Sequence, residues 1–178
     1  MATAPDARGV VESALRTLGL VPEEVLVSRP GAECAWAMKR GSARALVALV
    51  TREVAGQPAE HLRVVAPVLA FADEGSQVPR EALFLRVLEL NAAGLAACAF
   101  GVLGDSIVLV SERPTRDLDE SEVLYAIRQV AALADVFDDQ LVAAFGGRRS
   151  SDPQAPPAHP AHPAPPAPPA RADDPSAD

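Results

Sequence analysis

Histidine and cysteine, which often act as bases, nucleophiles or metal ligands, number only three and two in this sequence of 178 residues. Of the three histidines, His159 and His162 lie in a segment dominated by Pro and Ala, and only His61 lies among apolar residues. A single histidine at the start of a strand is usually a surface or edge residue. Two ligands in a segment without a core do not complete a four-coordinate zinc site. We therefore predict neither a histidine catalyst nor a metal site at these positions.

The sequence patterns that mark nucleophiles and phosphate-binding loops are also missing. Cys34 and Cys98 do not form a CxxC pair, and no serine lies in a GxSxG turn. Residues 101–106 contain two glycines but lack the lysine and the following helix of a phosphate-binding loop. We expect two reduced cysteines that behave as small apolar residues, and a hairpin turn near residues 103–106.

Three acidic residues, Asp135, Asp138 and Asp139, have spacings that place them on one face of the last predicted helix. Such a group could hold a divalent cation or contact a basic partner, but a solvated helix face is the commoner arrangement, and we favour it. No residue pattern supports a reaction class. We therefore predict that the protein is not an enzyme and has no cofactor and no metal site.

Composition divides the chain into a domain, residues 1–145, and a tail, residues 146–178. Ten of the 17 prolines lie between Pro153 and Pro175, and the tail contains no Leu, Ile, Val, Phe, Tyr or Trp. A segment with nothing apolar to bury does not offset the entropy of ordering, so we expect a disordered tail. The domain is large enough for a hydrophobic core.

The net charge of −8 argues against nucleic acid and anionic membranes as partners, because both attract basic surfaces. Residues 1–9 lack the pattern of a signal peptide, and no apolar run is long enough to span a bilayer. We therefore expect a cytoplasmic protein. The abundance of Arg, Ala and Pro suggests a bacterial gene of high GC content.

Hydrophobic periodicity predicts the order helix, three or four strands, helix, two strands and helix. The helices are expected at about residues 3–18, 79–91 and 119–145. Short turns between neighbouring strands mean antiparallel pairing, so the predicted fold class is α+β, with an antiparallel sheet of five or six strands and three helices. Pro67 predicts a bend, a bulge or an edge position in its strand. Asp119 and Glu122 have the spacing of a capping box at the start of the last helix.

Several strands are apolar in both phases of their alternation, as in residues 46–50, 64–65 and 68–69. Such strands need cover on both sides, and three helices rarely supply it for five or six strands. The second face is therefore expected to meet a second subunit or a bound segment. The alternative, that an Ala-rich sequence only resembles a two-sided one, stays open. The candidate protein-binding or dimer face comprises Trp36, Met38, Val47, Leu49, Val64 and Val68.

Residues 85–141 resemble part of a known family. A helix that ends in Leu90 and Asn91 precedes a hairpin with a Gly-Asp turn, and a loop of the form Leu-Asp-x-x-Glu at residues 118–122 leads into a long amphipathic helix. This arrangement is similar to that of the YbjN family and of the CesT-type chaperones of type III secretion. The N-terminal half matches them in the order of its elements.

The resemblance implies a chaperone-like fold and a homodimer without an active site, which binds a polypeptide segment of a client or partner protein. It implies no individual binding residues, because these families recognise partners through surfaces. An alternative function is a regulatory or scaffolding module whose Pro-rich tail docks onto a partner, since Pro-rich segments favour extended conformations that grooves can bind.

Overall fold

The computed structural model describes residues 6–40, 43–71 and 78–149. In chain order these residues form α1 (Ala7–Thr17), α2 (Pro22–Val25), β1 (Leu26–Val27), β2 (Cys34–Arg40), β3 (Ala43–Val54), β4 (Gln57–Ala70), α3 (Arg80–Ala93), β5 (Ala99–Leu103), β6 (Ser106–Pro114), α4 (Glu120–Phe145) and β7 (Arg148–Arg149). The strands make one sheet in the order β1-β2-β3-β4-β6-β5, with β7 paired to β4. Every pairing is antiparallel, so the predicted α+β class with an antiparallel sheet is confirmed. The described residues form seven strands and four helices instead of the expected five or six strands and three helices, because the short elements α2, β1 and β7 have too few residues to show a periodicity.

The long helix α4 covers one face of this sheet. It packs against β4, β3 and β6, and α1 packs on α4, while α3 packs against β5. The buried stripe of α4 shares one core with the inward side chains of the strands, and it comprises Val123, Ile127, Val130, Ala134 and Leu141. Although α4 has 26 residues, it is amphipathic, and among the described residues no helix is apolar and long enough to cross a membrane.

The start of α4 has the capping box that the sequence predicts. The Asp119 carboxylate accepts a hydrogen bond from the Glu122 backbone N–H at 2.9 Å. The Glu122 carboxylate accepts one from the Asp119 N–H at 3.0 Å. Two backbone donors that the helix itself leaves unpaired are thereby satisfied, which fixes where α4 begins.

Three features of the elements differ from the sequence-based expectation or refine it. Helix α1 begins at Ala7 with Asp6 as its N-cap, whereas the expected start at Thr3 lies outside the described residues. The pairing of β4 with β6 shifts register just after Pro67, which is the bulge among the three alternatives expected there, whereas β4 lies inside the sheet and is not an edge strand. The sheet continues past residue 145, because β7 pairs with β4. Residues 150–178, the rest of the predicted tail, lie outside the described residues.

Asn91, near the C-terminal end of α3, forms two hydrogen bonds with the backbone of β5. Its Nδ2 donates to the Phe100 carbonyl oxygen at 3.1 Å, and its Oδ1 accepts from the Phe100 N–H at 2.7 Å. Phe100 is buried, and its ring meets that of Phe137 on α4 edge to face, with 5.2 Å between the centroids. The Asn91 amide thus pairs with both backbone groups of Phe100, as a neighbouring strand would.

We expect Asn91→Ala to lower the free energy of unfolding by about 1–3 kcal/mol, because both backbone groups of Phe100 lose their partner in a partly buried place. The control is Glu89→Ala, whose side chain is exposed on the same helix. It should change the free energy by less than about 0.5 kcal/mol. Urea denaturation followed by circular dichroism measures both. Equal effects of the two substitutions would contradict this role for Asn91.

Candidate functional site

The sheet face opposite α4 carries a row of apolar side chains that crosses five strands. Ala37 pairs with Leu46, and Leu46 pairs with Val65. Val65 also pairs with Val110, and Val110 pairs with Ala99. Paired residues of antiparallel strands point to the same side of a sheet, so these five side chains form one continuous row. At the usual strand spacing the row is about 19 Å long. We refer to the face that carries it as the open face.

A groove with a volume of about 420 Å³ lies on the open face. Its floor is apolar and comprises Ala37, Leu46, Val65, Pro67, Leu103 and Val108. The buried residues of α1, α3 and α4 belong to the core on the other side of the sheet, so within the described residues these helices leave the groove uncovered. Leu46 and Val65 are only half-buried, and Ala37 is exposed.

The groove opens where β3 and β4 part. The described pairing between these strands ends at Leu46 and Val65, although β3 begins at Ala43 and β4 continues to Ala70. Pro67 has no N–H to donate, and the bulge beyond it increases the local twist of β4. We attribute the divergence of the two strands to this bulge.

One end of the groove is basic. Arg29, Lys39 and Arg44 line it, and all three side chains are exposed. Across residues 6–40, 43–71 and 78–149, none of the three forms an ion pair, whereas arginines elsewhere in the chain do. We call these three residues the basic rim. In a chain with a net charge of −8, uncompensated positive charge beside an apolar floor favours a ligand that carries carboxylates.

A network of paired charges lies farther along the open face. Arg52 Nε donates to Glu112 Oε1 at 2.8 Å, and Arg63 donates to Oε2 of the same carboxylate. The hydrogen bond from Arg52, helped by Arg63, lowers the pKa of Glu112 below its usual value, against the opposing effect of burial. These charges compensate one another, unlike those of the basic rim.

His61 is buried, so the expectation of a surface or edge histidine was wrong. It is 9 % exposed and lies on β4 between Val50 of β3 and Pro114 of β6. Its cross-strand neighbours are distant in sequence, so the sequence of β4 alone does not reveal this burial. Its Nδ1 lies 3.1 Å from the Ala59 carbonyl oxygen. In the part of the chain that the structure describes, no carboxylate or hydroxyl contacts the ring, so His61 has no partner that would make it a general base.

The six residues of the predicted binding or dimer face lie on the helix-covered face. All are at most 8 % exposed and belong to the core that α1 and α4 complete; they are Trp36, Met38, Val47, Leu49, Val64 and Val68. Five of them are at most 2 % exposed and are therefore not accessible to a partner within this chain, whereas Met38 also lines the groove on the open face. The accessible apolar surface is formed by the other phase of the same strands.

Charged residues could have identified the accessible phase. Arg44 and Arg52 share the phase of Leu46 along β3, and Arg63 shares that of Val65 along β4. Charged side chains are almost never fully buried, so the phase that contains them faces away from the helices. The aromatic ring of Trp36 marks the opposite phase, because large apolar side chains dominate cores.

The three aspartates of α4 have different surroundings. Asp138 is 7 % exposed, Asp139 pairs with Arg149 of β7, and Asp135 is exposed. A solvated face is thus the wrong description for Asp138. Residues 6–40, 43–71 and 78–149 contain no group of three or more side chains placed to hold a metal ion.

The two cysteines are free and half-buried. Burial raises the pKa of the Cys98 thiol. A thiol of raised pKa is protonated at neutral pH and is a poor nucleophile.

The fold and the site together define a class of protein: an α+β domain with one sheet face in the core and one open apolar face. A shallow apolar groove with a charged rim suits a polypeptide segment better than a small polar substrate.

Comparison with known proteins identifies the family. The family model TY-Chap1, described as T3SS (YopN, CesT) and YbjN peptide-binding chaperone 1, matches residues 10–153. The chain belongs to this family, and the resemblance found in the sequence is confirmed. Among solved structures the chain is similar to one described as "Structure of the HopA1-SchA Chaperone-Effector Complex", with 14% sequence identity and a TM-score of 0.46 over 74% of this chain and 92% of that chain. The comparison with curated proteins gave no match.

We expect Glu112→Gln to lower the free energy of unfolding at neutral pH by about 0.5–1 kcal/mol, since the paired carboxylate is partly exposed and solvent screens it. Because the folded-state pKa of Glu112 is depressed, its contribution is present above the unfolded pKa of about 4.3 and is lost as the pH falls through the lower folded value. Urea unfolding between about pH 3 and pH 7 should therefore show the two proteins converging at low pH.

The control for Glu112 is Glu53→Gln, because Glu53 is exposed on β3 and forms no ion pair among the described residues. It should leave the free energy nearly unchanged at every pH. A Glu112→Gln deficit that persists undiminished at low pH would show that the pairs with Arg52 and Arg63 are not its source.

Proposed function

We propose that this protein is a non-catalytic, dimeric, chaperone-like adaptor that binds a polypeptide segment of a partner protein on the open face of its sheet. The observation that carries the proposal is the row from Ala37 to Ala99, which crosses five strands and which no helix of the described residues covers. Membership of a family described as peptide-binding chaperones supports a polypeptide as the ligand.

Burial of apolar surface supplies most of the affinity in this proposal. At roughly 25 cal/mol per Å², covering the row and the groove floor contributes several kcal/mol, and the ordering of the bound segment subtracts from this gain. The floor presents few polar groups, so it selects apolar side chains without fixing an exact sequence. The basic rim adds a preference for carboxylates at one end of the segment. A surface of this kind shields apolar segments of a partner from other contacts.

A second apolar surface supports the dimer. Leu85 and Leu88 on α3 are 59% and 62% exposed, and Val102 on β5, against which α3 packs, is 54% exposed. Large apolar side chains exposed together mark protein interfaces, and twofold dimers are the commonest oligomers. We place the dimer contact on this surface of α3 and β5, which leaves the groove of each subunit free.

The groove is tested with a peptide selected for binding. Random peptides of about twelve residues, displayed on phage, are selected on the full chain, and one is synthesised for fluorescence anisotropy. Val65→Asp should raise its Kd at least about tenfold, because it places a carboxylate in the apolar floor. Val65→Thr keeps the side-chain shape but adds one hydroxyl to the apolar floor, which costs less than a carboxylate, so it should raise the Kd by a few-fold only.

The matched control for Val65 is Val136→Asp, which makes the same change at a valine that is 50% exposed on α4. It should leave the Kd unchanged. Thermal unfolding shows whether each variant is folded, and Val65→Thr keeps the test informative if Val65→Asp is not. A folded Val65→Asp protein with wild-type affinity for the peptide would place binding away from the open face.

The dimer is tested by size-exclusion chromatography with light scattering on the full chain. The wild type should have twice the chain mass, and Leu88→Asp should have the mass of one chain, because a carboxylate in an apolar interface is desolvated without a partner. Val136→Asp should remain dimeric. A monomeric wild type at micromolar concentration would remove dimerisation from the proposal and leave the groove untouched.

The alternative function is a module whose Pro-rich tail docks onto a partner. It is supported by the ten prolines between Pro153 and Pro175. Replacing these prolines by alanine in the full chain discriminates between the two functions. Loss of partner binding favours the tail, whereas unchanged or tighter partner binding favours the open face.

A further inference from the structure

The last residues that the structure describes lie beside the groove. Arg148 pairs with Ala70, and Arg149 pairs with Leu69. Because β7 runs antiparallel to β4, the chain at Arg149 is directed back along β4 toward Pro67, which is part of the groove floor. Arg149, the last described residue, therefore lies beside Leu69, two residues along β4 from Pro67 of the groove floor.

Two contacts hold the chain on this course. Gly147 has a φ of +85°, and a Cβ at this position would lie 2.7 Å from the Ala70 carbonyl oxygen and 3.3 Å from Leu69 Cδ2. The conformation and the close approach both require glycine. Beyond it, the Arg149 guanidinium pairs with Asp139 of α4. The turn after α4 is thus built to bring the chain onto the sheet.

We propose that residues 150–178 bind in the groove of their own molecule and occupy it until a client segment displaces them. This inference rests on the proposed function of the groove. The segment is long enough, since the 29 residues from 150 to 178 (178 − 149) span about 90 Å in a polyproline conformation, against about 19 Å for the apolar row.

Charge favours this occupant. The segment carries four aspartates and one arginine, namely Asp152, Asp173, Asp174, Asp178 and Arg171. The three basic residues of the rim form no ion pair within the described residues, so an acidic segment provides the partners that they lack.

Proline content also suits an apolar floor. A proline has no N–H, so it needs no hydrogen-bond partner where the groove offers few acceptors. Its fixed φ means that less conformational entropy is lost on binding. Alanine and proline side chains are small and apolar, which fits a shallow groove. A tethered segment acts at an effective concentration on the order of millimolar, so even weak contacts fill the groove and lower the apparent affinity for a client.

The test is paramagnetic relaxation enhancement in the full chain. A nitroxide is attached at Ala170→Cys in a protein that also carries Cys34→Ser and Cys98→Ser. The amide signals of Leu46 and Val108 in the groove should be strongly broadened, whereas that of Val136 on α4 should not. No selective broadening in the groove of a folded protein would overturn the proposal.

Charge reversal tests the contribution of the basic rim. Lys39→Glu with Arg44→Glu should restore most of the lost signal intensity. The matched pair Arg116→Glu with Arg128→Glu changes two exposed arginines that do not line the groove, and it should leave the broadening intact. Equal effects of the two pairs would contradict recognition through the rim.

Two further measurements test whether the segment binds within its own molecule and whether it competes with the selected peptide. In a mixture of isotope-labelled protein without nitroxide and unlabelled protein with it, broadening in the groove would assign the segment to a second copy and overturn binding within one molecule. Replacing the four aspartates by asparagine should tighten the Kd of the selected peptide several-fold, and an unchanged Kd would contradict competition. Both outcomes leave the peptide test of the groove itself valid.

Discussion

The packing of α4 on only one side of the sheet is the constraint on which the other features depend. Strands β3 and β4 have 12 and 14 residues, and both phases of their alternation contain apolar side chains. A helix can bury one phase only. It buries Val47 and Val64, and it leaves Leu46 and Val65 half-exposed. The remaining apolar row is therefore a consequence of sheet geometry combined with helical cover that is limited to one side.

The groove adds specificity to this exposed row. The bulge after Pro67 separates β4 from β3, which makes a concave floor where a regular sheet would be flatter. The basic rim favours one orientation of a bound segment, because the rim attracts carboxylates and the charges farther along the face are already paired. The exposed leucines of α3 lie on a different element, so the proposed binding face and the proposed dimer contact use different side chains.

Much of the fold follows from local signals in the sequence. The capping box at Asp119 and Glu122, the bulge at Pro67 and the hairpin between β5 and β6 each depend on residues close together in the chain, which is why they are predictable. The two-sided character of the strands was also evident. The structure buries the phase that the sequence analysis favours for binding, and the sequence does not show this because the apolar runs look alike in both phases. The arginines that share a phase with Leu46 and Val65 would have decided between the two phases.

Other features depend on neighbours that are distant in sequence. His61 and Asp138 are buried by contacts with elements that are distant in sequence, and the local sequence pattern does not show this. The strand β7 has two residues and no periodicity, so only its pairing with β4 reveals it. Gly147 is a local signal of a turn before β7, but only the close approach of the Ala70 carbonyl oxygen in the structure explains why glycine is required there.

The most direct test of binding on the open face is methyl NMR of the full chain with the selected peptide, because Leu and Val methyl groups lie on both faces of the same strands. Peptide binding on the open face should shift the methyl signals of Leu46, Val65 and Val110 and produce contacts between them and the peptide. Shifts confined to Leu49, Val64 and Val68 on the helix-covered face, or to Leu85 and Leu88 on α3, would contradict it.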